Sequence, residues 1–438
     1  MRVIILGAGI IGITSAWYLR KLGYEVTVVD RQKDVSLETS FANGCQISVS
    51  HSEPLANSKF ILNLFNYLYK NNGPISIRPK GDLYQLKWLT KFLLECSSNK
   101  MFKNLKQIIS LANFSREMLN NLRKEIKISY DIQKKGIIHF YTNIKDFESS
   151  LTTTKLMREL GCDRKSLSIE EIINIEPALS QIKKSIIGGD YTSTDESGDI
   201  FKFSNSLKEK CKNLGVEFKF NCEVTKLINE KKSKNLFISK IEVIDKNGCY
   251  KYFEGDIVVV SLGSFSPFLL RPLGINLEIF PVKGHSVTYN VKNDNLAPKV
   301  SLTDDEFKLV ISRLGSKLRV AGMYEINDFN RAINQNNCQK ISERVKELFP
   351  MACEYSNPSY WSGLRPMTPS GIPYIGKTVF QNLFLNTGHG ALGWTLACGS
   401  GKAISEIISG KKPEVNFQFT DSNNFFSDNR VDSKPTQI

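Results

Sequence analysis

A glycine triplet, a carboxylate, an arginine and a histidine carry the chemistry legible in this sequence. Gly7, Gly9 and Gly12 form G-x-G-x-x-G, after the apolar run Val3–Leu6 and at the head of an amphipathic stretch. Gly7 permits a tight turn, Gly9 lets a pyrophosphate approach the backbone, Gly12 allows close helix–strand packing, and the helix N-terminus stabilises phosphate charge. Asp30 closes the next apolar run, 18 positions after Gly12, where a carboxylate accepts from both ribose hydroxyls and repels a 2′-phosphate. The set predicts a dinucleotide without separating NAD from FAD. In GLRPMTPSGIPYIG (363–376) one cation, Arg365, stands without an acid. A guanidinium offers two parallel donors to a carboxylate; the bland alternative is a surface or helix-capping arginine. Gly388, Gly390 and Gly393 surround His389, Ala391 and Leu392 ahead of a helix from near Trp394. Such glycines let backbone approach a flat ring, and a helix N-terminus favours negative charge on it; a glycine-rich packing connection is the alternative. His389 is read as positional rather than as a proton acceptor.

These residues need a scaffold. The start reads as a βαβ unit with strand Val3–Leu6, helix Ile10–Leu22 and strand Glu25–Val29. Residues 55–125 read as mostly helical. Then come a strand at GIIHFYT, a helix near 146–160, a short helix capped by Ser168, and a helix near 200–214. Strands follow at VEFKF, EVTKLI, LFISKIEVI, YKYF and DIVVVSLGS, then a β-rich stretch over 278–325 and a helix near 336–348. GLRPMTPSGIPYIG reads as a rigid loop, stiffened by Pro366 and Pro369. The last helix runs to Ile408, and 411–438 reads as a polar tail. With 438 residues and 41% apolar composition, the chain has room for two domains sharing a sizeable core.

ETSFANGCQIS (38–48), GLRPMTPSGIPYIG and NTGHGALGWTLACGSG together resemble the FAD-dependent D-amino acid oxidase superfamily, and within it the bacterial D-amino acid dehydrogenase small subunits. The likeness runs from Met1 to about Gly410. It implies an α/β fold: a discontinuous Rossmann-like FAD-binding domain (1–52, 196–270 and 365–410) and an antiparallel-sheet substrate domain with helices (53–195 and 271–364). It implies that FAD is met by Val3, Gly7, Ala8, Gly9, Ile10, Ile11, Gly12, Asp30, Arg31, Ser40, Asn43, Gly44, Val224, Gly263, Gly388, Gly390, Leu392 and Gly393. Arg365, which matches the arginine of the family's G-L-R-P motif, is implied to hold the substrate carboxylate. The implied activity is oxidative deamination of free D-amino acids to 2-oxo acids and ammonia, with hydride passing from the α-carbon to flavin N5 and electrons to a non-NAD acceptor such as quinone. His285 stands where relatives usually have tyrosine, so that it either tunes substrate choice or simply packs, and Ser370 stands where they commonly have aspartate, which puts substrate range in question.

Of the net charge of +14, residues 59–124 hold 12 Lys or Arg against three acids. With apolar helical runs among them, a peripheral contact with an anionic membrane face is expected; a composition bias is the alternative. No nucleic-acid module accompanies the charge, and no metal-ligand set is read. The nine cysteines form no C-x-x-C pair, and with the N-terminus running straight into the glycine motif a cytoplasmic setting is expected. Three other readings stay open: a glycine or sarcosine-type oxidase that makes peroxide, a tRNA-modifying FAD amine oxidase, and a non-catalytic FAD-binding protein.

Overall fold

Apolar runs with no polar alternation are strands buried on both faces, and here they pair side by side. The computed structural model describes residues 1–69, 73–233 and 235–421. Strands Tyr374–Lys377, Leu383–Thr387, Ile257–Val260, Arg2–Leu6, Glu25–Val29 and Glu217–Lys219 form one sheet in that order. Every neighbouring pair is parallel except the first. Val3–Leu6 and Ile257–Val260 are buried throughout, which accounts for their unbroken β-branched and leucine content. Helices Ile10–Lys21 and Gly393–Ile408 pack together beside this sheet, with the Thr14 hydroxyl donating to the Ala397 carbonyl at 2.9 Å. On its other side the last helix meets Ser98–Glu125, where the Gly399 amide donates to Ser115 Oγ at 3.0 Å.

A second sheet has nine strands and is mostly antiparallel. Its order is Cys353–Met367, Phe280–Val291, Lys317–Ile326, Leu309–Leu314, Ser301–Asp304, Ile137–Tyr141, Gly188–Thr192 and Arg164–Leu167, with Ile75–Ile77 pairing beside Lys317–Ile326. Helix Gln335–Leu348 contributes Cys338, Ile341, Val345 and Leu348 to the core on one face of this sheet. A three-stranded sheet (Cys222–Lys232, Asn235–Asp245, Tyr250–Phe253) pairs separately but packs Leu227, Ile238, Ile241 and Val243 into one core with Ile4, Leu6 and Val29 of the parallel sheet.

Several local expectations change. GLRPM is the end of strand Cys353–Met367, not a loop. Pro366 lies opposite Pro281, on the first strand in the sheet order, where a missing N–H leaves no ladder partner unsatisfied. Ile75–Ile77 is a strand within the stretch read as mostly helical, and strands Arg164–Leu167 and Gly188–Thr192 join the second sheet. Polar residues in the first and glycines in the second concealed the alternation. Within the stretch read as a polar tail, Phe417 is buried and the Thr420 amide donates to the Ile375 carbonyl at 2.7 Å. Residues 422–438 lie outside the described residues.

Candidate active site

The strand Arg2–Leu6 delivers the glycine turn to the C-terminal edge of the parallel sheet. Gly7 has φ +105°, and a Cβ on Gly12 would come within 1.9 Å of the Gly7 carbonyl oxygen, so Gly12 is required for helix–strand contact rather than for a ligand. The turn opens into a cavity lined by Gly7, Gly9, Ile10, Ile11, Asp30, Arg31, Ser40, Val224, Gly263, Gly388, His389, Gly390 and Gly393. Asp30 is anchored by two backbone amides: Ala8 N–H donates to Oδ2 at 2.6 Å and Gln32 N–H to Oδ1 at 2.7 Å. Burial raises its pKa, with these amides opposing. Arg31 stacks on Phe265 with its guanidinium carbon 4.0 Å from the ring centroid, and pairs with Glu38 at 2.7 Å.

This cavity joins a second through Ile10, Thr39, Ser40, His389, Gly390 and Gly393, which line both. Asn43, Gly44, Leu392, His285 and Arg365 line the second. Three of the residues expected at the cofactor line neither: Val3 lies within the parallel sheet with no exposure, Ala8 contributes its amide to Asp30, and Gly12 packs the helix. Ser370 also lines neither; its Oγ accepts from the Ile372 amide at 3.2 Å.

A polar atom buried without a partner is costly unless a ligand or water completes it. Ser36 Oγ, Ser261 Oγ, Asn386 Oδ1 and His389 Nε2 are buried with no hydrogen-bonding partner among the described residues, and all four residues line the first cavity. Only His389 was singled out from sequence; the others sit in ordinary turn and strand contexts. Burial pulls the His389 imidazole down to about 3, so it is neutral. These unpaired donors and acceptors, the glycine turns and the Asp30 carboxylate fit an extended dinucleotide.

In the second cavity Arg365 lies across the sheet. Its Nη1 donates to the Met323 carbonyl at 2.7 Å, and its guanidinium carbon sits 4.3 Å from the Tyr324 ring centroid. A Cβ on Gly284, on the neighbouring strand, would meet Arg365 Nη1 at 2.3 Å, so that glycine makes the bed of the guanidinium. Met323 takes φ +59° and Cys45 φ +61°, both non-glycine residues in the left-handed region, and such strain collects at functional sites. Among the described residues no carboxylate pairs with Arg365, and burial pulls its pKa down. Tyr324, Met323 and Gly284 escaped the sequence reading because only the strand pairing brings them to Arg365.

His285 Nε2 lies 2.7 Å from Glu325 Oε1, and Lys283 Nζ 3.4 Å from Oε2. Burial pushes the Glu325 carboxyl up, but His285 and Lys283 win and hold it at about 2. His285 is therefore tied to Glu325 and, with Nδ1 3.9 Å from Cys338 Sγ, packs its side chain against helix Gln335–Leu348.

A parallel sheet with a glycine turn at its C-terminal edge, an adjoining antiparallel sheet and a half-buried cation on the latter at the cavity wall define a dinucleotide-dependent oxidoreductase. The chain belongs to the FAD dependent oxidoreductase (DAO) family, whose model matches residues 2–407. It is 45% identical over 419 residues to a D-amino acid dehydrogenase of Dechloromonas aromatica, covering 96% of this chain and 99% of that one. In structure it is similar to glycine oxidase from Geobacillus kaustophilus, with a TM-score of 0.72 at 18% identity over 95% of this chain and 96% of the other. It is similar also to the dithionite-reduced, FAD-bound L-α-glycerophosphate oxidase of Mycoplasma pneumoniae, with a TM-score of 0.68 at 16% identity over 95% and 96%. The cofactor is thus FAD, and the α/β fold with its antiparallel sheet is that of the family.

Proposed function

We propose that this chain oxidises free D-amino acids to imino acids, which water converts to 2-oxo acids and ammonia, and that the electrons go to an acceptor other than NAD. The observation that carries the reading is Arg365: a half-buried cation at the cavity wall, stacked on Tyr324, hydrogen-bonded to a carbonyl, and lacking a carboxylate among the described residues. Such a guanidinium is completed by an anion, and the α-carboxylate of an amino acid presents the matching two-oxygen face. The 45% identical D-amino acid dehydrogenase supports the D-configuration. FAD, when bound, supplies a two-electron hydride acceptor. The chain's own residues bind and orient: Arg365 grips the carboxylate, Gly284 leaves room for that grip, and the strand pairing of Arg365 with Val282 fixes its direction. A neutral His389, held down to about 3, is a poor proton acceptor, so its part is to hydrogen-bond the cofactor. Residues Gly7, Gly9, Asp30 and Gly263 hold the dinucleotide, with Asn43 and Gly44 at the junction to the substrate side.

The purified yellow protein, mixed anaerobically with D- and L-amino acids, is expected to bleach with D-isomers only. Arg365→Ala is expected to raise the half-bleaching substrate concentration about a hundredfold. Bleaching by L-isomers alone, or unaltered turnover in the Arg365→Ala variant, sinks the reading.

A quinone acceptor reached from an anionic membrane face is the finer form of this proposal. It is supported by helix Leu83–Glu95, which buries Gln85, Trp88 and Phe92 yet leaves Leu83 80%, Leu86 61% and Leu94 62% exposed on its opposite stripe. Leu62, Phe65 and Tyr69 are exposed nearby in the chain, as are Arg78, Lys87 and Lys103. Apolar side chains interspersed with cations match a lipid surface with anionic headgroups. No described helix is long and apolar enough to cross a membrane.

A further inference from the structure

The substrate cavity has a second polar end that the carboxylate clamp does not use. It is walled by His51, Ser52 and His139 with the Asp305–Lys308 pair and Arg164. His139 is fixed on both ring nitrogens, Nε2 at 3.2 Å from Ser50 Oγ and Nδ1 at 3.3 Å from Asp305 Oδ2. Asp305 in turn takes a 2.6 Å bond from Lys308. Arg164 spends Nη2 on Asp190 at 2.9 Å and Nη1 on the Ser50 carbonyl at 2.9 Å.

Three groups remain. Ser52 Oγ and Arg164 Nε are buried with no hydrogen-bonding partner among the described residues, on side chains that are 0% and 4% exposed. His51 lies 5.9 Å from His139 ring to ring, and among the described residues neither of its ring nitrogens has a hydrogen bond. Burial and the charge of His139 pull His51 down to about 3, so its imidazole is neutral and offers one donor and one acceptor. The cations at this end, Arg164, Lys308 and Lys59, already have carboxylate partners in Asp190, Asp305 and Asp146. The unfilled capacity is therefore for an uncharged group that accepts and donates.

The span fits. The Arg365 guanidinium reaches the strand Lys317–Ile326, and from there Ser301–Asp304 is two strands away and Ile137–Tyr141 three; Arg164, on the outermost strand, reaches back to this end by donating from Nη2 to the Tyr141 hydroxyl at 2.8 Å. At about 4.8 Å per strand this is about 10 to 14 Å. Extended glutamine places its two carbonyl carbons about 5 Å apart, and with a hydrogen-bonded oxygen at each end it bridges about 13 Å. The methyl of alanine stops about 2.5 Å from the carboxyl carbon and leaves the far end untouched.

We propose that His51, Ser52 and Arg164 form a side-chain subsite that selects D-amino acids ending in a carboxamide, D-glutamine and D-asparagine, over those with small apolar or charged side chains. This rests on the D-amino acid reading of the site. In the holoenzyme, kcat/KM for D-glutamine or D-asparagine should exceed that for D-alanine by about tenfold or more, the yield of one or two hydrogen bonds. His51→Phe should remove most of that preference while D-alanine changes by less than about threefold, and His51→Gln should restore it in part. A second readout is independent of turnover: glutaramate, which has the carboxylate and the carboxamide but no amine, should perturb the flavin absorbance at lower concentration than butyrate, and His51→Phe should abolish the difference. Equal loss on all substrates in His51→Phe, D-glutamate or D-alanine favoured by the wild type, or equal affinity for glutaramate and butyrate would each overturn the subsite. If no D-amino acid bleaches the flavin but glutaramate still outbinds butyrate, the subsite stands and the D-amino acid reading falls.

Discussion

At the scale of single residues, this site is defined by side chains that its own fold leaves incomplete. Among the described residues Arg365 has carbonyl and aromatic partners but no carboxylate, and the buried His389 Nε2 has no hydrogen-bonding partner. Both were readable as candidates because their neighbours in sequence are glycines and prolines that leave a lone polar group conspicuous. Ser36, Ser261 and Asn386 were not, since a serine or asparagine in a turn is ordinary until its surroundings are known. The glycine triplet, by contrast, was legible with its division of labour: Gly12, read as packing helix on strand, makes that contact, and Gly7 and Gly9 line the cavity. The neutral state of His389 has a thermodynamic consequence. Its pKa falls from the ordinary 6.5 to about 3 on folding through burial, so between those values the unfolded chain carries a proton that the folded one refuses. Stability is therefore lost as pH falls from 6.5, approaching about 1.4 kcal/mol per pH unit for this one residue. His51, lowered to about 3 by burial, acts in the same sense. Melting the apoprotein between pH 6.5 and 4.5 should show this slope, and His389→Asn should flatten it in part; an unchanged slope in the variant refutes the buried neutral imidazole.

At the scale of elements, strand–turn–helix units were legible where the signal is local. The start of the chain needs only 29 residues to declare two parallel strands and the helix between them. The last five residues of the edge strand Cys353–Met367 were misread as a loop because proline and glycine are loop signals, and only the pairing of Pro366 with Pro281 shows why they are tolerated. The basic segment illustrates the reverse: its helices were foreseen, but a periodic pattern does not say which apolar stripe faces inward. Trp88 and Phe92 do, and Leu83, Leu86 and Leu94 do not. Replacing Leu83 and Leu86 together by Asp should cut co-sedimentation with phosphatidylglycerol vesicles about tenfold or more, since each removes apolar contact and adds like charge. Anaerobic bleaching by substrate should be unaffected. Vesicle binding that survives the double substitution, or that is equal on neutral phosphatidylcholine, counts against a lipid-facing stripe.

At the scale of the whole molecule, the dinucleotide cavity draws its walls from distant parts of the chain: Gly7 to Ser40, Cys222 to Thr225, Ser261 to Leu269, and Asn386 to Gly393. Cofactor binding therefore reports on the entire fold. FAD at a hundred times its dissociation constant should stabilise the full chain by about 2.7 kcal/mol. A chain ending before Tyr374 lacks strands Tyr374–Lys377 and Leu383–Thr387 and the turn after them; it should give no FAD-dependent rise in melting temperature, and a rise of equal size would show that the N-terminal unit binds on its own. The same long-range assembly explains why sequence reading reached the family motifs but not the far end of the substrate cavity, where His51, Ser52, Arg164 and Lys308 meet only in three dimensions. It also bears on how the protein is made. Gly7 leaves the ribosome long before Gly393, and at about 5 to 20 residues per second the interval is roughly 20 to 80 s. For about two thirds of it, until Ile257–Val260 is made, the strand Arg2–Leu6 lacks that neighbour, and because the cavity walls after Asn386 come later still, the cofactor is not what covers this edge during synthesis.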